Sequence, residues 1–466
     1  MVQAADLPRN ETGIETALSE LRQQFGDRLQ TGDSMREQHG HTTTYIRNQL
    51  PDAVVFARAT EDVVAVVKVC AAHKVPIIAF GTGTSLEGHV NAPAGGISID
   101  LSQMDAVLEV NAADLDCRIQ PGVTRQGLNT HLRDQGLFFP IDPGANASLG
   151  GMTATRASGT NAVRYGTMKD NVLSLEVVMA DGSVIRTASR ARKSSAGYDL
   201  TRLLVGSEGT LGIITEITLR LQGIPETISA ASCSFPSVDA ACQTVMSVIQ
   251  YGLPVARIEL LDATVVRAVN SYSKLTLPET PLLLLEFHGT EAGVAEQAEI
   301  FGMLADENGG TGYAATTSLE ERNKLWQARH DGYWAMLALR PGAKAVTTDV
   351  CVPISRLADA VGAAQAKAEE LGMVAPVVGH AGDGNFHASV LIDLDNADEV
   401  ARSEEFVSWL NDLAISMDGT CTGEHGIGQG KRPYLIKELG GAVDVMGAIK
   451  RALDPDNIMN PGKILS

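Results

Sequence analysis

Two histidines beside a glycine-rich turn are the residues of this chain best suited to chemistry. They are His380 and His387, in the stretch 379–387, which reads Gly-His-Ala-Gly-Asp-Gly-Asn-Phe-His. β-like runs at 374–378 and 386–392 flank a turn whose glycine and asparagine accept positive φ angles. The pattern predicts a hairpin that brings the two imidazoles to face each other at ~5 Å, close enough to share a cation. A glycine-rich turn with two surface histidines is the alternative.

A second patch, residues 423–428, reads Gly-Glu-His-Gly-Ile-Gly and places a carboxylate beside an imidazole at Glu424 and His425. Two histidines and one acidic ligand with an open position are a common composition for a catalytic metal site. Together the two patches favour a divalent metal held by two of the three histidines and the carboxylate. One histidine would then be left to act as a base.

Composition sets the broad class of the protein. The chain has 466 residues, a net charge of −19 and 44% hydrophobic residues, so it is expected to form two or three globular domains. The negative charge argues against nucleic acid and anionic membranes as partners. Six scattered cysteines without a Cys-x-x-Cys pair indicate reduced thiols. No signal peptide or transmembrane segment is evident, so a cytoplasmic location is expected, with peripheral membrane attachment left open.

Other segments of the chain could position further functional groups. The first of them is a βαβ-like pattern, in which a helix at 61–73 precedes an apolar strand at 75–80. The strand leads into a glycine-rich loop, residues 81–89, whose backbone N–H groups could form an anion-binding nest. The loop is neither a P-loop nor a Rossmann turn, because Leu86 replaces the third Rossmann glycine and His89 replaces the P-loop lysine. A third kind of phosphate cradle and a plain glycine-rich loop both remain open.

A second region of small residues spans 140–166. Its near lack of bulky side chains favours a wall against a large planar or diphosphate ligand, and a glycine-rich loop crossing a sheet is the alternative. A strand at 172–179 follows. Residues 203–214 are interpreted as another apolar strand, broken by small residues.

The segments of the first half, in this order, resemble the vanillyl-alcohol-oxidase-type (PCMH-type) FAD-binding domain. The resemblance is carried by residues 81–89, 143–166 and 206–212, the last of which reads Gly-Ser-Glu-Gly-Thr-Leu-Gly. It implies bound FAD. Although some relatives attach the flavin through a histidine of the first loop, where His89 stands, the group that this chain most resembles holds FAD non-covalently. The FAD contacts that it implies are Gly81, Thr82, Gly83, Thr84, Ser85, Gly88, His89, Pro143, Gly144, Ala145, Gly150, Gly151, Ala154, Ser158, Gly159, Tyr165, Gly166, Glu208, Gly209, Ile214 and Asn460.

The second half resembles the C-terminal domain of FAD-linked D-2-hydroxyacid dehydrogenases, a group that includes glycolate oxidase D subunits. The motifs are residues 379–387, 423–428 and 454–463, while residues 347–356 are most similar to the D-lactate dehydrogenase branch. The implied fold is α+β, with an FAD-binding domain and a cap domain built on an antiparallel sheet. The expected divisions are 1–48 (lead-in), 49–224 (FAD-binding), 225–415 (cap) and 416–466 (return to the flavin site).

The resemblance implies oxidation of a D-2-hydroxy acid, D-lactate above others, with hydride transfer to FAD. His425 would take the hydroxyl proton, and Asn385 would add a hydrogen bond to the substrate. Zinc or manganese would be held by His380, His387 and Glu424. A helix at 319–339 would carry Trp326, Arg329, His330 and Tyr333 on one face. There Arg329 would pair with the substrate carboxylate, the alternative being an ordinary salt bridge.

Other assignments remain open. The electron acceptor could be a cytochrome, a quinone, an electron-transfer flavoprotein or oxygen, and a homodimer is one expected assembly. Glycolate and D-2-hydroxyglutarate are the alternative substrates, the second disfavoured by Thr347, where that branch commonly has lysine. A zinc hydrolase, a non-catalytic FAD subunit and a redox-neutral transferase are the alternative functions.

Overall fold

The computed structural model describes residues 6–41 and 44–465. Its strands are β1 (Leu29–Gln30), β2 (Ala53–Phe56), β3 (Ile77–Phe80), β4 (Ile97–Asp100), β5 (Val107–Asn111), β6 (Asp116–Ile119), β7 (Leu137–Phe138), β8 (Val172–Val178), β9 (Val184–Arg186), β10 (Ile213–Arg220), β11 (Gln222–Gly223), β12 (Thr227–Ser234), β13 (Val255–Leu261), β14 (Leu282–Gly289), β15 (Thr311–Thr316), β16 (Lys344–Thr347), β17 (Val350–Cys351), β18 (Val377–His380) and β19 (Asn385–Ile392).

The helices are α1 (Glu11–Phe25), α2 (Asp33–Gly40), α3 (Thr60–His73), α4 (Arg125–Leu132), α5 (Leu149–Thr155), α6 (Ala162–Tyr165), α7 (Met168–Asn171), α8 (Leu200–Leu204), α9 (Val238–Tyr251), α10 (Ala263–Ser273), α11 (Glu291–Glu307), α12 (Leu319–His330), α13 (Gly332–Ala338), α14 (Leu357–Glu370), α15 (Ala397–Ser416), α16 (Arg432–Leu439) and α17 (Ala442–Leu453). Within the described ranges, none of them is long and apolar enough to cross a bilayer.

The chain divides into two compact units. Of the described residues, the first unit contains those up to Ser158, Thr167–Ile224 and those from Glu424 onward. The second unit contains Gly159–Gly166 and Pro225–Gly423.

The first unit is built on two main sheets. One has the order β1-β2-β4-β3, in which β4 pairs in parallel with both β2 and β3. Helix α3 contributes Val63, Val66, Val67 and Cys70 to the core of this sheet, because these positions recur on one helical face. The other sheet is antiparallel, with the order β5-β6-β10-β8-β9, and has a separate core.

The second unit has one large antiparallel sheet with the order β15-β12-β14-β13-β18-β19-β16, while β17 pairs with β19. Trp326 and Met336 of helices α12 and α13 pack into a core with Leu261 of β13 and Val378 of β18. The antiparallel sheet that was predicted for the cap is present in the structure. It places β18 and β19, which carry the two histidines, among its central strands.

Two local predictions were wrong. Residues 203–214 do not form a strand: α8 ends at Leu204, and Gly206, Glu208 and Gly209 turn the backbone through positive φ before β10 begins. The predicted helix 319–339 breaks at Asp331 into α12 and α13, so Tyr333 does not share a helix with Arg329. Region 140–166, for which no secondary structure was predicted, is partly helical, since α5 and α6 lie within it.

Candidate active site

His380 ends β18 and His387 lies in β19. The register pairs His380 with Asn385 and Val378 with His387, so the histidines are diagonal neighbours and not the directly facing pair that the sequence predicted. Their ring centroids are still 5.6 Å apart, with planes at 86°. Both side chains are buried, which excludes the alternative of two surface histidines.

One nitrogen of each imidazole is held by an oxygen atom. Nδ1 of His380 donates to Oε1 of Glu259 (2.7 Å), and Nδ1 of His387 donates to the carbonyl oxygen of Thr348 (2.9 Å). These acceptors place the proton of a neutral ring on Nδ1, which presents the Nε2 lone pair to a metal. Such hydrogen bonds are the usual support of metal-ligating histidines. The two side chains therefore fit a metal site.

Glu259 is the carboxylate that supports His380, and it is fully buried. It lies opposite His380 in the pairing of β13 with β18. Burial raises the pKa of Glu259, but the charges of His380 and Arg329 outweigh burial and keep that pKa below its ordinary value. Glu259 is therefore ionised at neutral pH.

Arg329, at the end of α12, donates from Nε to Oε2 of Glu259 at 2.8 Å. The salt bridge that the sequence left as an alternative is therefore formed. Glu259 consequently binds His380 with one oxygen and Arg329 with the other. The substrate-binding role of Arg329 stays a prediction.

The side-chain amide of Asn385 is held within the protein. Its Nδ2 donates to Oδ1 of Asp349 and to the carbonyl oxygen of Val350, both at 2.9 Å, and the substrate-binding role of Asn385 stays a prediction. A Cβ on Gly423 would lie 2.2 Å from this Nδ2, and the amide of Gly423 donates to the carbonyl of Asp349 (3.1 Å). Gly423 thus anchors the chain immediately before Glu424.

In the first unit, the predicted phosphate loop 81–89 directly follows β3 and forms no helix, as expected. Ser85 Oγ and His89 Nδ1 are buried without a hydrogen-bond partner among the described residues. Because buried polar groups are normally satisfied, these atoms indicate a ligand supplied from outside the chain. The loop therefore fits a bound cofactor such as FAD.

The other predicted FAD segments of the first unit meet this loop. A Cβ on Gly81 would lie 2.2 Å from Oγ of Ser148, which caps the N-terminus of α5. The amide of Glu208 donates to the carbonyl of Ala154 in the same helix (2.8 Å). Asn460 donates from Nδ2 to the carbonyls of Glu208 (2.7 Å) and His89 (3.2 Å). Four distant stretches of sequence thus form one assembly.

The remaining residues that were predicted to contact FAD do not all lie in this assembly. Gly159, Tyr165 and Gly166 belong to the second unit, where the hydroxyl of Tyr165 lies 2.7 Å from Nδ1 of His288. Gly150 and Gly151 lie inside α5 and not in a flat loop, and a Cβ on Gly150 would meet Pro121 at 2.5 Å. This glycine therefore permits a close helix contact within the protein. Ile214 lies on β10, and Pro143, Gly144 and Ala145 lie in the loop before α5.

His425, the predicted base, lies in the first unit. Its Nδ1 is 4.0 Å from Oε1 of Glu87, a buried residue of the phosphate loop, which also lies 3.3 Å from Nζ of Lys431. A Cβ on Gly428 would meet the carbonyl of Glu87 at 2.1 Å, so the segment that follows His425 packs directly on the loop.

Sequence reasoning missed two carboxylates. Glu259 could have been suspected, because it is a charged residue within the apolar run 255–261 and a buried carboxylate needs a partner. Glu87 gave no comparable signal, since an acidic residue in a glycine-rich loop is ordinarily solvated.

Comparison with known proteins decides the family. A model described as "FAD binding domain" matches residues 51–188, and one described as "FAD linked oxidases, C-terminal domain" matches residues 224–464. The chain belongs to the FAD-linked oxidase family. The predicted FAD-binding domain is thereby confirmed for this FAD-linked oxidase.

Individual relatives are similar to this chain over nearly its whole length. The oxidase is 50% identical to "Probable D-lactate dehydrogenase, mitochondrial" of Danio rerio, covering 97% of this chain and 92% of the relative. It is 46% identical to "D-lactate dehydrogenase [cytochrome], mitochondrial" of Arabidopsis thaliana, covering 96% and 80%. A solved structure of p-cresol methylhydroxylase superposes with a TM-score of 0.83 at 18% identity, covering 99% of this chain and 98% of that one, which confirms the predicted fold.

Proposed function

We propose that this FAD-linked oxidase oxidises D-2-hydroxy acids, D-lactate above others, to the corresponding 2-keto acids. The observation that carries the proposal is the buried pair His380 and His387, in which each Nδ1 is held by an oxygen acceptor. This arrangement suits chemistry at a metal-coordinating hydroxyl group. The names of the two relatives, both D-lactate dehydrogenases, support the substrate.

His380 and His387 are the two proposed histidine ligands, and the third ligand is assigned to Glu424. His380 and His387 would bind through Nε2, because Nδ1 of each is engaged. Glu424 follows Gly423, which is anchored to Asp349 in the link between β16 and β17. The nitrogen and oxygen ligands suit several divalent ions, and we propose zinc or manganese.

Bound FAD supplies the hydride acceptor, and a bound divalent cation supplies positive charge that favours the deprotonated hydroxyl. The chain's own residues orient the acid and handle its proton. Arg329 pairs with the substrate carboxylate through the part of its guanidinium that does not bind Glu259. Nε2 of His425 takes the hydroxyl proton. The carboxylate of Glu87, 4.0 Å from Nδ1, stabilises the imidazolium that results.

A single carboxylate on the substrate is favoured over two. Arg257 lies two residues before Glu259 on β13, and alternation places both on the same face. It is already engaged, because its Nε donates to Asn161 (2.9 Å) and its guanidinium stacks over Trp326 (4.7 Å). D-2-Hydroxyglutarate is therefore the weaker candidate, whereas glycolate, which has one carboxylate, stays an alternative.

The electron acceptor is proposed to be a cytochrome, following the name of the Arabidopsis relative, ahead of a quinone or an electron-transfer flavoprotein. The cytoplasmic location and non-covalent FAD stay predictions. The names of both relatives assign those proteins to mitochondria.

Anaerobic flavin reduction tests the proposal. The purified protein should be yellow, release FAD on denaturation, and bleach most rapidly with D-lactate in a panel of D- and L-2-hydroxy acids. A colourless protein that cannot be reconstituted with FAD, or a flavin that no 2-hydroxy acid reduces, would refute it.

A further inference from the structure

Glu208 connects three parts of the first unit. Its carboxylate accepts hydrogen bonds from the backbone amides of Ile427 (2.7 Å, Oε1) and Gly428 (2.8 Å, Oε2). Nε2 of His89 lies 3.3 Å from Oε2. The Glu208 side chain that makes each of these contacts is almost completely buried.

The backbone of Glu208 is fixed as firmly as its side chain. Its amide donates to Ala154 and its carbonyl accepts from Asn460. Its φ of +55° is uncommon for a residue with a side chain, so surrounding contacts must hold it there. Asn460 in turn accepts a hydrogen bond from Nζ of Lys463 (3.0 Å). Glu208 is therefore a rigid point from which other segments can be held.

The segment held by the carboxylate is the one that carries His425. Ile427 and Gly428 follow His425 by two and three residues, and Gly426 lies against the same carboxylate. A Cβ on Gly426, whose φ is +84°, would lie 2.7 Å from Oε1 of Glu208 and 2.9 Å from Nε2 of His89. The backbone can approach Glu208 this closely only because residue 426 is glycine.

Glu208 makes these contacts as an anion. Burial raises the pKa of the Glu208 carboxyl, but the charge of His89 and the hydrogen bonds from the amides of Ile427 and Gly428 hold it below its ordinary value. Hydrogen bonds to a charged acceptor are stronger than those to a neutral one. An amide in place of the carboxylate would offer only one oxygen to the two backbone donors.

We propose that Glu208 is a positioning residue for catalysis, because its carboxylate fixes the backbone after His425 and thereby the orientation of that imidazole. The proposal rests on the base role proposed for His425. It gives Glu208 a task different from the FAD contact that the sequence predicted for it. Since Glu208 acts through His425, its loss cannot cost more than the loss of His425 itself.

The test compares E208Q with a matched control, D100N. Asp100 is also a buried carboxylate of the first unit, and it binds one backbone amide, that of Ser102 (2.7 Å), and one histidine, His39 (2.8 Å). Both variants make the same chemical change. E208Q should retain FAD and lower the rate of anaerobic flavin reduction by roughly 10–100-fold, the range for lost hydrogen bonds to a charged group. KM should stay nearly unchanged, and D100N should reduce flavin at the wild-type rate.

Two further measurements separate positioning from general damage. Hydrogen exchange of a peptide spanning 424–430 should accelerate in E208Q but not in D100N, a change that requires no turnover. In an H425A background, E208Q should cause no further loss, because residues that act as a unit are not additive. E208D, which keeps the charge with a shorter reach, should lie between wild type and E208Q, and it replaces E208Q if that variant does not fold.

Four results would overturn the proposal: wild-type flavin reduction in E208Q, a loss in E208Q that adds to that of H425A, unchanged exchange at 424–430, or loss of FAD as the main effect. The last result would make Glu208 a cofactor-site residue. Failure of the proposed function differs visibly, because then the wild-type protein itself would not be reduced by any 2-hydroxy acid.

Discussion

Glu259 and His380 lie directly opposite each other on neighbouring strands and are joined by a 2.7 Å hydrogen bond from Nδ1 to Oε1. The second oxygen of the same carboxylate binds Arg329 at 2.8 Å. One buried side chain therefore sets the position of both a proposed metal ligand and the proposed substrate-binding arginine. Metal affinity and substrate affinity should consequently depend on each other.

Replacing Glu259 by glutamine should weaken metal binding about 10–100-fold, because the tautomer and orientation of His380 are no longer fixed. The matched control is E286Q: Glu286 is a buried carboxylate in the same unit that binds Nε2 of His288 at 2.7 Å. Metal titration by elemental analysis or calorimetry measures both variants. Equal metal affinities in E259Q and wild type would contradict the supporting role of Glu259.

Removing the metal should abolish flavin reduction while FAD stays bound. Chelation would take the ion from His380 and His387, whereas the residues expected to hold the flavin lie mainly in the other unit. Zn²⁺ or Mn²⁺ should restore activity. Flavin absorbance and substrate-dependent bleaching are followed before and after chelation. Full activity in a preparation shown to be free of metal would rule out the metal site.

The neighbours Glu424 and His425 should respond differently to substitution by alanine. E424A should lose metal together with activity. H425A should keep metal and FAD, and slow flavin reduction ~10²–10⁴-fold, the usual contribution of a positioned base. Its deficit should shrink at high pH, where solvent takes the proton. If H425A instead empties the metal site, His425 is a ligand and the base must be sought elsewhere.

Changing Arg329 to lysine should raise KM strongly with a smaller effect on kcat. Lysine keeps the charge, but it lacks the planar guanidinium with which arginine can bind Glu259 and a substrate carboxylate at the same time. KM values for D-lactate and D-2-hydroxyglutarate are compared in the variant and in wild type. A larger kcat/KM for D-2-hydroxyglutarate in the wild-type protein would contradict the preference for monocarboxylates.

Lys463 should make stability depend on pH above neutrality. Burial lowers its pKa to about 7 in the folded chain, whereas an unfolded lysine titrates near ~10.4. Between these two pKa values the unfolded chain binds more protons at this lysine than the folded chain does. The free energy of unfolding therefore rises with pH in this range, and the buried charge destabilises the fold fully only below pH ~7. Urea unfolding at pH 6, 8 and 10 should show that the free energy of unfolding of wild type increases relative to that of K463M as pH rises. A constant difference between the two would refute the lowered pKa.

The sequence predicted well those elements whose signal is local. The helix expected at 61–73 is α3, Thr60–His73, because its buried valines recur with helical spacing. The strand expected at 172–179 is β8, Val172–Val178. Residues 203–214 were misjudged because a strand pattern does not reveal the left-handed turn at Gly206, Glu208 and Gly209.

The site was predicted in its residue types but not in its geometry. His380 and His387 were expected to face each other, yet the register makes them diagonal. Glu259 was missed because its importance depends on β13 lying beside β18, a pairing between strands more than a hundred residues apart. Both features depend on tertiary structure, and a single sequence contains no local pattern that reveals them.

The connection between β18 and β19 contains only Ala381–Gly384, and two of its glycines have no room for a side chain: a Cβ would lie 2.6 Å from Ile258 at Gly382 and 2.1 Å from the Val352 carbonyl at Gly384. Its length fixes the strand register, and a shift of one residue turns every side chain of a strand to the opposite face. A single inserted or deleted residue here would therefore point His387 away from His380 without altering either histidine. Variation in loop length, which surface connections ordinarily tolerate, should be forbidden at this turn.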